Sequence, residues 1–246
     1  DLSEIELGGD AARLTPVSDG RNILRLVDSA TPFESGNALI RSPFDLFGPN
    51  GEAISFSTNF QFQITDPGGI TDEDGAGADG ITFLLSPTAN VGSSGAGIGY
   101  EGLQNTVAIE FDTYNNGARD NNNGNHVGLA VNGDTSAIAQ TAVTPRFNNG
   151  EVWNAWIEYD GESQQIQVWA SLSTERPDTP LLSEQIDIPT IVGSDEFFVG
   201  FTSATGAAFG VHDILSWNFT AGQIPVVPND YTYQEDAVDE DSAQLT

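Results

Sequence analysis

The chain has 246 residues, with 36 Asp+Glu against 7 Lys+Arg, a formal net charge of −29, and neither Cys nor Met. Such a charge repels a phosphate backbone and excludes general nucleic-acid binding; without Cys there is no disulfide framework, iron–sulfur cluster, thiolate zinc site or thiol nucleophile. No apolar run approaches the roughly 18 residues of a membrane span, and no basic segment leading into an apolar one opens the chain, which therefore reads as a mature or excised domain without membrane insertion.

The periodicity along the chain is that of strands. Phe33, Phe44 and Phe47 read as sandwich core. In the segment AISFSTNFQFQI, residues Ile54, Phe56, Phe60, Phe62 and Ile64 recur at period two, and Thr58, a good strand former, fills the remaining place. Ile81–Leu85, Val107–Phe111 and Val127–Val131 are further short apolar runs. Val152–Tyr159 and Gln165–Leu172 flank Asp160-Gly161, a hairpin turn signal, and Phe197–Thr202 and Ile214–Phe219 close the series. Trp153, Trp156, Trp169 and Trp217 fall within strand patterns and read as core or sheet-edge packing, and His212 as a structural histidine. Residues 66–78 and 86–97 are rich in turn formers and read as loops. Many short strands separated by Gly, Asn, Asp and Pro, with no sustained helical spacing, predict an all-β protein, an antiparallel β-sandwich.

We read residues 1–221 as one domain and residues 222–246 as an acidic linker or ordered edge arm. The latter segment holds Asp230, Glu235, Asp236, Asp239, Glu240 and Asp241 but no Arg. The surplus of carboxylates suits a salty medium, where screening shortens the range of repulsion to about 3 Å at 1 M, and bound divalent cations would relieve it locally.

The chemistry concentrates in VAIEFDTYNNGARDNNNGNHVGLAVN, residues 107–132. Glu110 and Asp112 lie two apart on one strand and share a face. Tyr114, Asn116, Asp120 and His126 follow in a Gly/Asn-rich loop that returns into a strand. Carboxylates, an amide and main-chain carbonyls suit a hard cation such as Ca²⁺. An imidazole beside carboxylates suits a transition ion such as Mn²⁺. The group therefore offers ligands for two metals, with Asp112 and Asp120 able to bridge them. Against this stands the frequency of Asn and Asp in ordinary turns.

Four segments in order, ADGITFLL (78–85), GIGY (97–100), residues 107–132 and FVGFTSATGAAFGVHDILSWNF (198–219), resemble those of L-type, or legume-type, lectins, over roughly residues 1–220. The resemblance implies a jelly-roll sandwich of the concanavalin-like type, with a flat back sheet and a curved front sheet and with binding loops at one end. It implies that Glu110, Asp112, Asp120 and His126 hold a transition metal such as Mn²⁺, and that Asp112, the Tyr114 carbonyl, Asn116 and Asp120 hold Ca²⁺. In the family the loop Asp stands five residues before the His, a place taken here by Asn121; Asp120 is six before. The choice falls on Asp120, because two metals need a shared anionic oxygen; Asn121 is the alternative. The resemblance further implies that Asp79, after a cis peptide from Ala78, accepts hydrogen bonds from two adjacent sugar hydroxyls. Asn116 would donate one, Tyr114 would offer its ring, and Gly97, Ala207 and Ala208 would approach the sugar through backbone N–H groups. The short stretch from Thr205 to His212 leans toward glucose/mannose-type sugars.

Related sandwiches include glycoside hydrolases, in which a Glu-x-Asp-x-x-Glu strand supplies acid and nucleophile. Here Asn115 stands where the last Glu would be, and no Ser/His/Asp arrangement is legible, so an enzyme is not expected. The resulting expectation is a calcium-dependent domain that binds glycans on cell surfaces. It would be secreted or surface-displayed, tethered to further domains, and part of a bacterial adhesin. The alternatives are a protein-binding adhesion module on the same fold and, less favoured, a hydrolase.

Overall fold

Alternation of apolar and polar residues makes the Phe56–Gly69 strand the centre of one sheet: Phe56, Thr58, Phe60, Phe62 and Ile64 are all buried. Thr58 belongs to this series because its hydroxyl is satisfied, donating to the Asn218 carbonyl at 2.7 Å and accepting from Trp217 Nε1 at 2.9 Å. The structure, a computed structural model, describes residues 2–222 except 11, 19 and 29–31, together with the backbone of 242–245.

Two eight-stranded antiparallel sheets pack face to face, as the all-β sandwich reading requires. The back sheet runs Leu182–Gln185, Gln165–Ser171, Val152–Asp160, Phe56–Gly69, Ala208–Ala221, Asn22–Val27, Arg13–Pro16. Ser242–Leu245 also pairs with this sheet, antiparallel to Trp217–Thr220; the rest of the acidic tail, 223–241 and 246, lies outside the described residues. The front sheet runs Ile5–Gly9, Ser35–Ile40, Glu196–Ala204, Gly80–Ser86, Val107–Asp112, His126–Val131, Ala139–Ala142, and the short Phe44–Asp45 strand pairs with Glu196-Phe197. Among the described residues the one α-helix is Ile188–Val192, and no helix is long and apolar enough to cross a membrane.

Aromatic rings join the sheets. Phe60 and Phe62 of the back sheet meet Phe111 of the front sheet at 5.6 and 5.2 Å between centroids, and Phe60 meets Phe201 at 4.8 Å. Trp153 and Trp217 belong to this interior. Trp156 and Trp169 instead pair across neighbouring strands on the outer face of the back sheet, where the Arg176 guanidinium lies 4.4 Å from the Trp169 ring centroid.

Three details differ from the sequence reading. The segment 66–78 is not a plain loop: the long strand continues to Gly69, and Thr71–Asp72 pairs with Gly75–Ala76 in a small hairpin. Phe44 packs on Phe219 at 4.8 Å as expected, but Phe47 is partly exposed and Phe33 is 64% exposed, outside the core altogether. Phe33 precedes the first residue of its strand by two, beyond the reach of the opposite sheet.

Candidate functional site

Strand pairing lines up one row of residues across the end of the front sheet. Ser35 stands opposite Ala204, Ala204 opposite Gly80, Gly80 opposite Asp112, Asp112 opposite His126, and His126 opposite Ala142. The register therefore brings Asp79, Asp112 and His126 to one place although they are far apart in sequence. Glu110, two residues back from Asp112, lies on the same face.

The loop between Asp112 and His126 closes the group. A 3₁₀ turn over Gly117–Asp120 is followed by Asn121 and Asn122, both left-handed (φ 50° and 58°), a conformation Asn tolerates better than most residues. The two consecutive left-handed residues accommodate the extra spacing before the histidine. Asp120 turns inward and is buried, whereas Asn121 is exposed. Ligand atoms of Asp112, Asp120 and His126 lie within 4.8 Å of one another. Asp120 accepts the Asn116 N–H, its carbonyl accepts Gln140 Nε2 at 2.8 Å, and Asp112 accepts the Tyr114 N–H at 2.7 Å. The Tyr100 hydroxyl donates to Glu110.

The electrostatics are those of an uncompensated anionic pocket. Burial, reinforced by the charge of Asp120, pushes Asp79 up to about 8. Burial likewise pushes Glu110 up to about 8 against the hydrogen bond from Tyr100. It holds Asp112 well above the usual carboxylate range, with Asp120 and Glu110 adding repulsion. Burial raises Asp120 to about 6 although the Asn116 N–H and Arg119 oppose it, and lowers His126 to about 4. Among the described residues none of these four carboxylates has an arginine ion pair; Arg119 pairs with Glu101 instead. Asp79 Oδ2 and His126 Nδ1 are buried without a hydrogen-bond partner. Buried carboxylates, repelling one another around an unpartnered imidazole nitrogen, are the donor set of a cation. The residues present thus fit a divalent ion, which would neutralise the cluster and hold the Tyr114–Asp120 loop against the sheet.

Asp79 follows a cis peptide from Ala78. Its N–H donates to the Ala204 carbonyl at 3.1 Å, and its carbonyl accepts the Thr113 N–H at 3.0 Å, so its main chain joins two neighbouring strand ends. The 204–208 loop passes close to it: a Cβ on Gly206 would stand 3.4 Å from Asp79 Oδ2, in van der Waals contact with the buried carboxylate. Tyr114 and Asn116 are half-buried beside it, and among the described residues the Asn116 side-chain amide has no hydrogen-bond partner. Tyr114 is raised by partial burial and by the charges of Asp72, Asp79 and Glu73.

Not every sequence candidate joins this group in the expected way. Gly97 is buried, and its N–H donates to the Ser94 carbonyl at 3.3 Å within its own turn, so it is not aimed at a ligand; Gly95 is the glycine of that loop that faces Gly206. Ala207 is exposed at the loop tip, while Ala208 is buried in the strand opposite Gly69. His212 is structural as expected: Nδ1 meets Ser203 Oγ at 2.7 Å and the Gly80 carbonyl at 3.1 Å, directly beneath the Asp79 segment. Sequence reading missed Gly206 and Tyr100. It also missed Asp72, whose hairpin bonds to the Asn115 N–H, and Arg146, whose Nη2 donates to the Thr113 carbonyl at 2.6 Å. For Asp72 the available signal was the turn chemistry of Asp-Glu-Asp-Gly at 72–75.

Residues 2–232 match the family model of the legume lectin domain. L-type lectin-domain containing receptor kinase V.9 of Arabidopsis thaliana is 33% identical over 224 residues, covering 82% of this chain and 32% of its own length. Among solved structures, lectin II from Ulex europaeus is similar with a TM-score of 0.73 and 26% identity over 89% of this chain and 93% of that one. The winged bean acidic lectin, solved with methyl-α-D-galactose, gives 0.73 and 26% over 89% and 92%. The chain spans about a third of the length of the curated relatives it matches. Those relatives are plant receptor kinases, and they lend no support to an origin in a bacterial adhesin.

Proposed function

The chain belongs to the legume lectin family, and we propose that the pocket over Asp79 binds a glucose- or mannose-type sugar in a calcium-dependent way. The legume lectin domain is a carbohydrate-binding module and not a catalytic one, so the chain is a carbohydrate-binding domain without catalytic activity of its own. The observation that carries the finer reading is Asp79 Oδ2, a buried acceptor without a hydrogen-bond partner, lying close to Gly206. A pair of sugar hydroxyls would supply the missing donors. The Asn116 amide would add another hydrogen bond and the Tyr114 ring would meet the apolar face of the sugar. Of the loop alanines, exposed Ala207 is the better placed to offer an N–H.

In this proposal Asp112, the Tyr114 carbonyl, Asn116 and Asp120 hold Ca²⁺, and Glu110, Asp112, Asp120 and His126 hold an ion such as Mn²⁺. The calcium keeps Tyr114 and Asn116 beside Asp79. The short stretch from Thr205 to His212, of which only 205–207 is loop, is what favours the glucose/mannose class; the galactoside bound by the winged bean lectin makes galactose the second candidate. Sugar hydroxyls give up bound water on entering such a site, so binding per copy would be weak and firm attachment to a glycosylated surface would come from several copies acting together. Kinship with receptor kinases favours an extracellular domain tethered to others.

The test is a glycan array probed in calcium and again after chelation. Binding to a defined set of glucosides or mannosides that disappears on chelation supports the proposal. Calcium-independent binding, or silence in both conditions, refutes it, and silence turns the reading toward a protein-binding adhesion module.

A further inference from the structure

Phe33 is the most exposed large apolar side chain among the described residues, at 64%, and it adopts a left-handed backbone (φ 64°). A bulky residue rarely takes that conformation, and such outliers gather at binding sites. Its position is fixed from the pocket side. The next residue, Glu34, donates its N–H to Thr205 Oγ1 at 3.2 Å and accepts the Thr205 N–H at 2.9 Å. Thr205 in turn accepts the Gly95 N–H at 3.0 Å and precedes Gly206, which lies close to Asp79. The residue after Phe33 is therefore bonded directly to the loop that passes close to Asp79.

The register supplies the distance. Ser35 stands opposite Ala204, which stands opposite Gly80, so the strand that Phe33 leads into lies two strand spacings from the Asp79 segment. At about 4.8 Å per strand that is about 10 Å, the span of a neighbouring sugar unit rather than of the one seated on Asp79. Of its two neighbours in sequence, Pro32 is exposed and Glu34 is charged and half-buried, so no second large apolar side chain adjoins the ring there. An exposed aromatic ring can offer its face to the C–H face of a pyranose.

We propose that Phe33 is an aromatic platform for a second sugar ring, so that the site recognises an oligosaccharide and not a single sugar. This rests on the pocket reading for Asp79. The ring contributes affinity without touching the cation or the first sugar, so its effect depends on ligand length.

The experiment is titration calorimetry in calcium on wild type, Phe33→Leu, Phe33→Trp and Asp79→Asn. The probes are the methyl α-glycosides of mannose, glucose and galactose, and the α-linked di- and trisaccharides of whichever binds. Phe33→Leu is expected to weaken oligosaccharide binding about two- to ten-fold while leaving the methyl glycoside unchanged, and Phe33→Trp to restore or exceed the wild-type value. Equal losses on short and long ligands would mean that Phe33 merely braces the Thr205 loop, and no loss on either would mean that the ring is idle; each overturns the platform. In both cases loss of all binding in Asp79→Asn leaves the pocket reading standing, whereas a wild type that binds none of the sugars defeats both.

Discussion

The Asp72 carboxylate accepts the backbone N–H of Asn115 at 2.9 Å, fastening the small hairpin to the loop that carries Tyr114 and Asn116. The other oxygen of Asp72 accepts the Asp74 and Gly75 N–H groups, both at 2.9 Å, and Arg146 Nη1 lies 3.9 Å away. The fit is close on both sides: a Cβ on Gly124 would fall 2.3 Å from Asp72 Oδ2. Asn115, which removes the hydrolase reading by not being a Glu, adds side-chain bonds of its own: Nδ2 donates to Glu73 Oε2 at 3.0 Å and Oδ1 accepts the Gly117 N–H at 2.8 Å.

Asp72→Ala should therefore loosen the loop between its two proposed calcium ligands. Losing charge-assisted bonds to backbone N–H groups costs about 1.5–3 kcal/mol each at most, and less where water can replace the acceptor. The expected result is a melting point lowered by several degrees and a calcium affinity reduced about ten-fold, read by calorimetry. Full calcium affinity in a destabilised Asp72→Ala protein would show that the hairpin serves the fold alone.

Asp112→Asn addresses the shared ligand. A calcium concentration of about 100 times its dissociation constant stabilises a folded protein by about 2.7 kcal/mol, or roughly 5–10 °C for a chain of this size. Wild type should show a calcium-dependent rise of this order and Asp112→Asn none. Because Asp112 is repelled by Asp120 and Glu110, the metal-free variant should melt no lower than metal-free wild type. A preserved calcium shift would remove Asp112 from the ligand set.

The pH dependence of the chelated protein should run opposite to that of the loaded one. Asp79 and Glu110 are raised to about 8 and Asp120 to about 6, so the folded chain holds protons that the unfolded chain has already released. Stability of the metal-free fold then grows as pH falls from about 8 toward about 6.5. Below about 6.5 the unfolded chain protonates its histidines, while His126 and His212, lowered to about 4, stay neutral in the fold; the gain is progressively offset. In calcium the trend reverses, since ligation needs deprotonated carboxylates and a neutral imidazole. Scanning calorimetry between about pH 5 and about pH 8.5, with and without chelator, checks both signs. A chelated protein that gains stability with rising pH would contradict the uncompensated carboxylates.

Anionic glycans should be refused. Around Tyr114 stand Asp72, Glu73 and Asp79, while Arg119 is paired with Glu101 and Arg146 bonds to the Thr113 carbonyl. The two arginines named here are thus engaged elsewhere, and desolvating a sialic or uronic carboxylate beside Asp79 is costly. On the array, neutral glycans should exceed their sialylated forms at least ten-fold, most clearly at low salt. Preferential capture of sialosides would require a cation that this arrangement lacks.

Much of the fold was legible because the core strands obey period two: Phe56 to Ile64, Val107 to Phe111 and the Asp160-Gly161 hairpin all follow the alternation or turn chemistry that predicts them. The row of candidate metal ligands was legible in part, since Glu110, Asp112 and His126 fall on strands whose pairing brings them together. Phe33 was misread because an aromatic residue near a strand carries the same sequence signal whether it lies before the first paired residue or after it. Gly97 was misread because a glycine-rich loop does not reveal which N–H is spent internally. Gly206 and Asp72 were missed because their roles come from contacts across the fold, with Asp79 and with Asn115, which no local pattern encodes.

The six residues Val107–Asp112 form a ribbon with two separate duties on its two faces. Val107, Ile109 and Phe111 are seated among the rings between the sheets, while Glu110 and Asp112 stand on the other side of the same backbone. The pleat couples them rigidly: rotating or shifting Phe111 displaces the carboxylates on either side of it by a comparable amount. Interior packing and recognition therefore cannot be adjusted independently along this ribbon. New specificities are more readily reached through the 204–208 loop, the hairpin at 71–76 and the segment leading to Ser35, which border the pocket without crossing the core.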